Sequence, residues 1–184
     1  VEKAGKSLVR DFGEVEQLQV SIKGPGDFVS AADHRSEKIL HEELLKARPD
    51  FGFLMEESGV VEGKDAEYKW IIDPLDGTTN FLHGIPHWCI NLALEKNGEI
   101  IAGVTYDPIK DELFRAEKGS GAFMRNKRLR VSGRKDLSLS IIGLGGPGPK
   151  RRTNRKTFLS EMNAALIQTA GFRRSGSAAL DLAY

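Results

Sequence analysis

The 184 residues carry 27 Lys and Arg against 26 Asp and Glu, a formal net charge of +1, with 40% hydrophobic and 29% charged residues. That balance excludes wholesale disorder and offers no excess of charge to draw nucleic acid or a membrane surface. A single cysteine, Cys89, excludes an internal disulfide framework and a multi-cysteine zinc site, and fits a reducing, cytoplasmic setting.

The length predicts a single domain over 1–184. Leu8, Val9 and Phe12 have helical spacing, ended by Gly13. Leu18 to Ile22 alternates as a half-buried strand does, and Lys23-Gly24-Pro25-Gly26-Asp27 breaks it. Ser30 opens the next helix with Asp33 three residues on, a variant of the capping box, and Ile39, Leu40, Leu44 and Leu45 give that helix its apolar stripe. Phe51 to Met55 reads as a buried strand running into Glu56-Glu57-Ser58, and Tyr68 to Ile72 as another that ends at Asp73. Asn97-Gly98 between Ile90–Glu95 and Glu99–Tyr106 is the strongest hairpin signal. Leu113 to Ala116 suggests one more strand, and Ala122–Met124 with Leu129–Val131 a further hairpin. Ser140 to Leu144 is a short apolar run. A basic cluster spans Lys150 to Lys156. Phe158, Met162, Ala165 and Leu166 make a helical stripe, and Ser177 caps a last helix, Ala178 to Tyr184. No apolar run approaches the ~20 residues of a membrane span. The pattern is α+β, with helices layered on a mostly antiparallel sheet.

The chemistry concentrates in Trp70-Ile71-Ile72-Asp73-Pro74-Leu75-Asp76-Gly77-Thr78-Thr79-Asn80. A buried strand delivers Asp73 to its carboxyl end, where layered α/β folds place ligand groups. Pro74 is expected to stop the ladder and turn the chain, bringing Asp76 back beside Asp73. Gly77 admits close backbone approach, and Thr78-Thr79 opens a helix whose free N–H groups suit a phosphate. Carboxylates without a thiolate or a histidine pair favour Mg²⁺ or Mn²⁺ over zinc. Read locally, the segment is either a polar turn after a strand or such a cation site. Glu56-Glu57 also follows a buried strand, so one carboxylate can face a site while the other faces solvent or a neighbour; read alone, the pair is a solvated loop. Asp33 reads first as a cap. His34, His41, His83 and His87 match no zinc spacing, and Cys89 reads as a buried small hydrophobe.

Together these pieces resemble the inositol monophosphatase family of Mg²⁺-dependent phosphatases. The resemblance rests on Asp27-Phe28-Val29-Ser30-Ala31-Ala32-Asp33, Glu56-Glu57-Ser58, and Trp70 through Phe81. Gly119-Ser120-Gly121-Ala122-Phe123 and Gly176-Ser177-Ala178-Ala179 add less specific support. It implies a layered α-β-α-β-α sugar-phosphatase fold and a homodimer. It also implies metal ligation by Glu56, Asp73, the Leu75 carbonyl and Asp76, with Mg²⁺ as cofactor and Mn²⁺ as a possible substitute. Asp33 and Thr78, with Glu56, would form the catalytic set. Asp76, Gly77, Thr78, Ser177 and Ala178 would contact a small phosphorylated sugar or polyol.

The family's later Trp-Asp motif, which completes the second metal site, does not occur: Trp70 and Trp88 are followed by Ile71 and Cys89. With Val1 in place of an initiator Met and an apolar helix at Tyr184, the expectation is that the chain lacks the family's C-terminal part and belongs to a longer protein. The leading function is hydrolysis of inositol monophosphate or a related phosphate. The alternatives are a fructose-bisphosphate or nucleotide 3′-phosphate phosphatase, and a non-catalytic module binding RNA or the transcription machinery.

Overall fold

Ala4, Leu8 and Asp11 lie along one side of the first helix, α1 (Glu2–Gly13), and that side is its buried face. The computed structural model describes residues 1–15, 20–24, 27–145 and 155–184. Strands β1 (Val20–Gly24) and β2 (Asp27–Ser30) pair antiparallel, with Val20 opposite Ser30. Ser30 then caps α2 (Ala31–Ala47), which buries Ala32, Asp33, Ser36, Glu37 and Leu40. Those positions recur at three- and four-residue intervals, so one stripe carries both apolar and acidic side chains inward.

Among the described residues the main sheet has eight strands. After β3 (Phe51–Met55), β4 (Gly59–Val61) turns back antiparallel with Gly59 opposite Met55, a return that no local sequence pattern signals. β5 (Asp65–Asp76) runs parallel to β3 with Ile72 opposite Met55. β6 (Cys89–Lys96), β7 (Glu99–Asp107), β8 (Glu112–Glu117), β9 (Gly121–Met124) and β10 (Lys127–Arg128) then follow as an antiparallel meander. The spatial order is β10-β9-β8-β7-β6-β5-β3-β4. At the β6–β7 turn Asn97 and Gly98 both have positive φ, 50° and 82°, the backbone that a two-residue turn matched to strand twist requires.

Beyond the sheet, β11 (Ile141–Gly143) and β12 (Gly171–Arg173) pair in parallel around α4 (Arg155–Gln168), and α5 (Ala178–Ala183) ends the described chain. The basic cluster lies outside the described residues except at the start of α4. No helix among the described residues is long and apolar enough to cross a membrane.

Two expectations are corrected. Pro74 does not end the ladder of β5: the register with β6 runs through Asp73 opposite Asn91, skips, and resumes at Asp76 opposite Cys89. Proline has no N–H to donate, so it sits in the bulge, and the ladder continues past it. The hairpin after Met124 returns through Lys127 and Arg128, with one further rung from the Leu129 amide to the Ala122 carbonyl at 2.8 Å, and Val131 is 96% exposed, since among the described residues no strand pairs beyond β10 to bury a longer arm.

Period-two alternation gives the sheet two different faces. Phe53, Met55, Ile72, Ile90 and Leu92 face α1 and α2 in the main core, with Leu75, Phe81 and Trp88. The opposite face carries a smaller cluster of Cys89, Phe114 and Leu180, contributed by β6, β8 and α5. In the main core, Phe12, Phe81 and Trp88 form a triangle with centroid separations of 5.0–5.5 Å.

Candidate active site

The parallel register of β3 and β5 brings two acidic loops together. Because Met55 lies opposite Ile72, the next residues along each strand, Glu56 and Asp73, emerge side by side at the carboxyl ends. The Glu56 amide donates to the Ile72 carbonyl at 3.2 Å, adding one more rung. After Asp73 the bulge turns the chain, and the Leu75 amide donates back to Asp73 Oδ1 at 3.1 Å. Gly77 follows with φ +95° as the N-cap of a short helix, α3 (Thr78–Leu82).

Helix α2 supplies the next layer. Asp33 is 1% exposed and divides its oxygens between two tasks. Oδ2 accepts from the Ser30 amide at 2.8 Å and the Ser30 hydroxyl at 2.7 Å, while Oδ1 lies 3.3 Å from the donating hydroxyl of Thr78. The cap and the catalytic reading, alternatives at the level of sequence, therefore fall on different atoms of one carboxylate. The Thr78 hydroxyl also lies 3.0 Å from the Leu75 carbonyl, so its single proton has two acceptors to choose between. One turn along, the Ser36 hydroxyl donates to the Pro74 carbonyl at 2.8 Å.

Asp76 points differently. Its Oδ2 accepts from the Ser177 hydroxyl at 2.6 Å and the Ala179 amide at 2.8 Å, and the Cys89 thiol lies 3.8 Å away. Ser177 is fully buried as the N-cap of α5, whereas Ala178 is exposed. Ser177 therefore acts on the site through Asp76, and Ala178 is the residue of that pair turned outward. A carboxylate at the N-terminus of a helix is favourably placed against its dipole. Asp76, Ser177, Ala178, Arg174 and Asp181 line a cavity of about 210 Å³. On the other flank Glu56 and Asp73 border one of about 270 Å³ with Met55, Ile72 and Asn91. A wider cavity of about 360 Å³ lies between β6–β8 and α5 and is lined by no acid.

The electrostatics ask for a cation. Burial pushes the Asp73 carboxyl up to about 8; the charges of Glu56 and then Asp76 add to the effect, as does a hydrogen bond with Glu56. A carboxylate so held back from ionising is stabilised by positive charge nearby. The available donors are all hard oxygens: Glu56, Asp73, Asp76 and the Leu75 carbonyl. That chemistry fits Mg²⁺ or Mn²⁺ and does not suit a thiolate-seeking metal. Among the described residues, however, no three acidic, His or Cys side chains already converge on one point. Asp76 has its Oδ2 committed to α5, which leaves its other oxygen to turn toward Asp73.

Of the other candidates, Cys89 stands beside Asp76 and His87 Nε2 lies 4.0 Å from Asp181 Oδ1. His34 and His83 are exposed, and His41 stands edge-on to the Phe53 ring at 4.5 Å. Burial raises the Cys89 thiol well above its ordinary range, consistent with an inert small side chain. Sequence reasoning missed three supporting residues. Ser36 and Glu37 share the inward stripe of α2 with Asp33, a signal carried by their spacing. Asn80, 8% exposed, donates to the His87 carbonyl at 2.7 Å and the Ser175 carbonyl at 2.8 Å, tying α3 to the segment before α5. Only its place within the motif hints at that.

Gly77 is irreplaceable on two counts. Its φ lies in the left-handed region, and a Cβ there would stand 3.1 Å from the His87 carbonyl oxygen and 3.2 Å from Trp88 Cβ. Gly77→Ala is expected to lower stability by about 1–3 kcal/mol and to shift Thr78 relative to Asp33. Urea denaturation checks it, and an unchanged midpoint would contradict the strain assigned to this turn.

The family model described as the inositol monophosphatase family matches residues 1–184. A protein named inositol-1-monophosphatase from Mesorhizobium japonicum is 58% identical over 182 residues, covering 99% of this chain and 68% of its own length. Another, named Nus factor SuhB, from Pasteurella multocida, is 42% identical over 182 residues, with the same two coverages. Among solved structures, the extragenic suppressor protein suhB of Bartonella henselae superposes with a TM-score of 0.95 at 56% identity, covering 99% of this chain and 69% of that one. The layered α+β architecture is thus shared with known structures of this kind.

Proposed function

The chain belongs to the inositol monophosphatase family, whose members are phosphoric monoester hydrolases, and from that premise we propose that it hydrolyses inositol monophosphate or a closely related sugar or polyol phosphate with Mg²⁺ as cofactor. Mn²⁺ is the expected substitute, and a cytoplasmic homodimer the expected form. The observation that supports the reading is the Asp73 carboxyl beside Glu56 and Asp76, raised far above its ordinary value by burial first and by those two charges after it.

Phosphate monoesters repel nucleophiles because ester and hydroxide are both anionic. In this reading Glu56, Asp73, the Leu75 carbonyl and Asp76 hold the metal. Bound there, a divalent cation supplies positive charge that offsets the phosphate oxygens and acidifies water. The chain's own residues then do the positioning. A water that donates to the Thr78 hydroxyl oxygen is oriented by it, while Thr78 passes its own proton toward Asp33 Oδ1. Asp33 can take that role because its other oxygen is anchored by two donors from Ser30, which fixes the carboxylate in place. The amides of Gly77 and Thr78 open α3 toward the same space and suit phosphate oxygens. Ser177 holds Asp76 in position, and Ala178 faces the polyol side.

The test is Mg²⁺-dependent phosphate release from inositol 1-phosphate by the wild-type chain, set against Asp33→Asn. The variant keeps the shape of the cap but loses the base, and its rate is expected to fall roughly 10²–10⁴-fold. A folded Asp33→Asn protein with the wild-type rate would remove Asp33 from the reaction. No release by the wild type at any Mg²⁺ concentration would remove the enzyme reading for this chain. A second reading, a regulatory binding module, is favoured by the relatives named Nus factor SuhB that match the same span. Salt-sensitive RNA binding that survives Asp73→Asn would support it.

A further inference from the structure

One buried acid takes no part in that scheme. Glu37 is 3% exposed on the inward stripe of α2, one turn beyond Asp33. Burying a carboxylate is costly unless donors satisfy it. No cation among the described residues pairs with Glu37. Its donors come instead from a single turn, the one that follows β3: Oε2 accepts from the Glu57 amide at 2.8 Å, and Oε1 accepts from the Ser58 hydroxyl at 2.5 Å.

Glu56 is the residue immediately before that grip. On its other side its own amide is held by the Ile72 carbonyl of β5. Its backbone is thus pinned from both directions, by a sheet rung before it and by Glu37 after it. The same face of α2 holds the second acidic loop, through the Ser36 hydroxyl on the Pro74 carbonyl. One helical turn therefore fastens both loops that carry acidic side chains, and their spacing is set by the rigid spacing of residues 36 and 37.

We propose that Glu37 is a positioning residue for metal binding: by holding the Glu57–Ser58 turn it keeps the Glu56 carboxylate in register with Asp73. This rests on the metal-dependent reading of the site. Glu37 does not touch the metal or the substrate; it acts through the backbone that presents Glu56. Outer-shell partners of this kind commonly contribute 10–100-fold to metal affinity.

The experiment is direct Mn²⁺ titration of the full chain, following free Mn²⁺ by electron paramagnetic resonance, for wild type, Glu37→Ala, Glu37→Gln and Ser58→Ala. Alanine removes both hydrogen bonds, and about 10–100-fold weaker binding is expected. Glutamine can rebuild both, with its carbonyl accepting from the Glu57 amide and its amide donating to the Ser58 hydroxyl, so it is expected to stay within about threefold of wild type. Ser58→Ala, at an exposed position, is expected to fall between them. Wild-type affinity in a folded Glu37→Ala protein overturns the proposal. So does Glu37→Gln binding as weakly as alanine, since net charge and not hydrogen bonding would then be responsible. If Glu37→Ala fails to fold, Ser58→Ala decides, and unchanged affinity there overturns it. Failure of the wild type to bind Mn²⁺ would sink the metal-dependent reading, and this inference with it, a result distinct from any change confined to the variants.

Discussion

Asp73→Asn is expected to reduce kcat/KM at least about 10³-fold, or about 4 kcal/mol of transition-state stabilisation, and at the same time to make the metal-free protein more stable. The two effects share a cause. In the folded chain Asp73 is half-buried beside Glu56 and Asp76, and the loss of solvent and then those two charges lift its carboxyl from an ordinary 3.8 to about 8. Between those two pH values the unfolded chain has released a proton that the folded chain still holds. Stability from this group is therefore fully present below about pH 4 and declines as pH rises toward 8. At pH 8 the accumulated difference is on the order of a few kcal/mol.

Asparagine cannot ionise, so the variant should show neither the slope nor the penalty. Divalent cation reverses the order, because a ligand that binds only the folded state adds about 2.7 kcal/mol at a hundred times its Kd. Wild type should gain that amount and Asp73→Asn should not. Thermal melts at pH 5 and pH 8, each with and without saturating Mg²⁺, separate the two contributions. Parallel pH dependence in the two proteins would contradict the assignment of Asp73 as the strained carboxylate.

Trp88→Ala should destabilise the fold more than Gly77→Ala does, by about 3–5 kcal/mol. Its ring is fully buried and meets Phe81 at 5.0 Å and Phe12 at 5.5 Å, so it joins the start of β6 to α3 and α1 at once. Its Cβ also backs Gly77 at the turn that leads into Thr78. Truncation therefore opens a cavity directly behind the loop proposed to carry the active site, and activity should fall along with stability. Trp88→Phe should recover more than half of the loss, because the indole N–H is buried with no partner among the described residues and phenylalanine gives up only area. Chemical denaturation followed by circular dichroism separates the two. Equal losses for Ala and Phe would mean the indole N–H has a role the geometry does not reveal.

Much of this architecture is carried by short-range chemistry and so can be read along the chain. The Ser30–Asp33 box, the Asn97-Gly98 turn and the strand ending at Met55 each depend on residues within a few positions of one another. The acidic segments are legible for the same reason: strand, proline, glycine and carboxylates occur in one run, and the resemblance to a family follows from that run.

What local chemistry could not supply is the set of contacts that depend on partners far along the chain. Nothing near Pro74 reveals that β6 would resume pairing at Cys89 and absorb the proline in a bulge, because a ladder's register belongs to both strands. Ser177 looks like an ordinary cap until the fold carries it 101 positions back to Asp76. Glu37 is one more helical glutamate in the sequence, and its burial is decided by where β3 happens to end. Residue type and local spacing determine which chemistry is available; only packing determines which oxygen of each carboxylate is already taken, and hence which remains for a metal or a water.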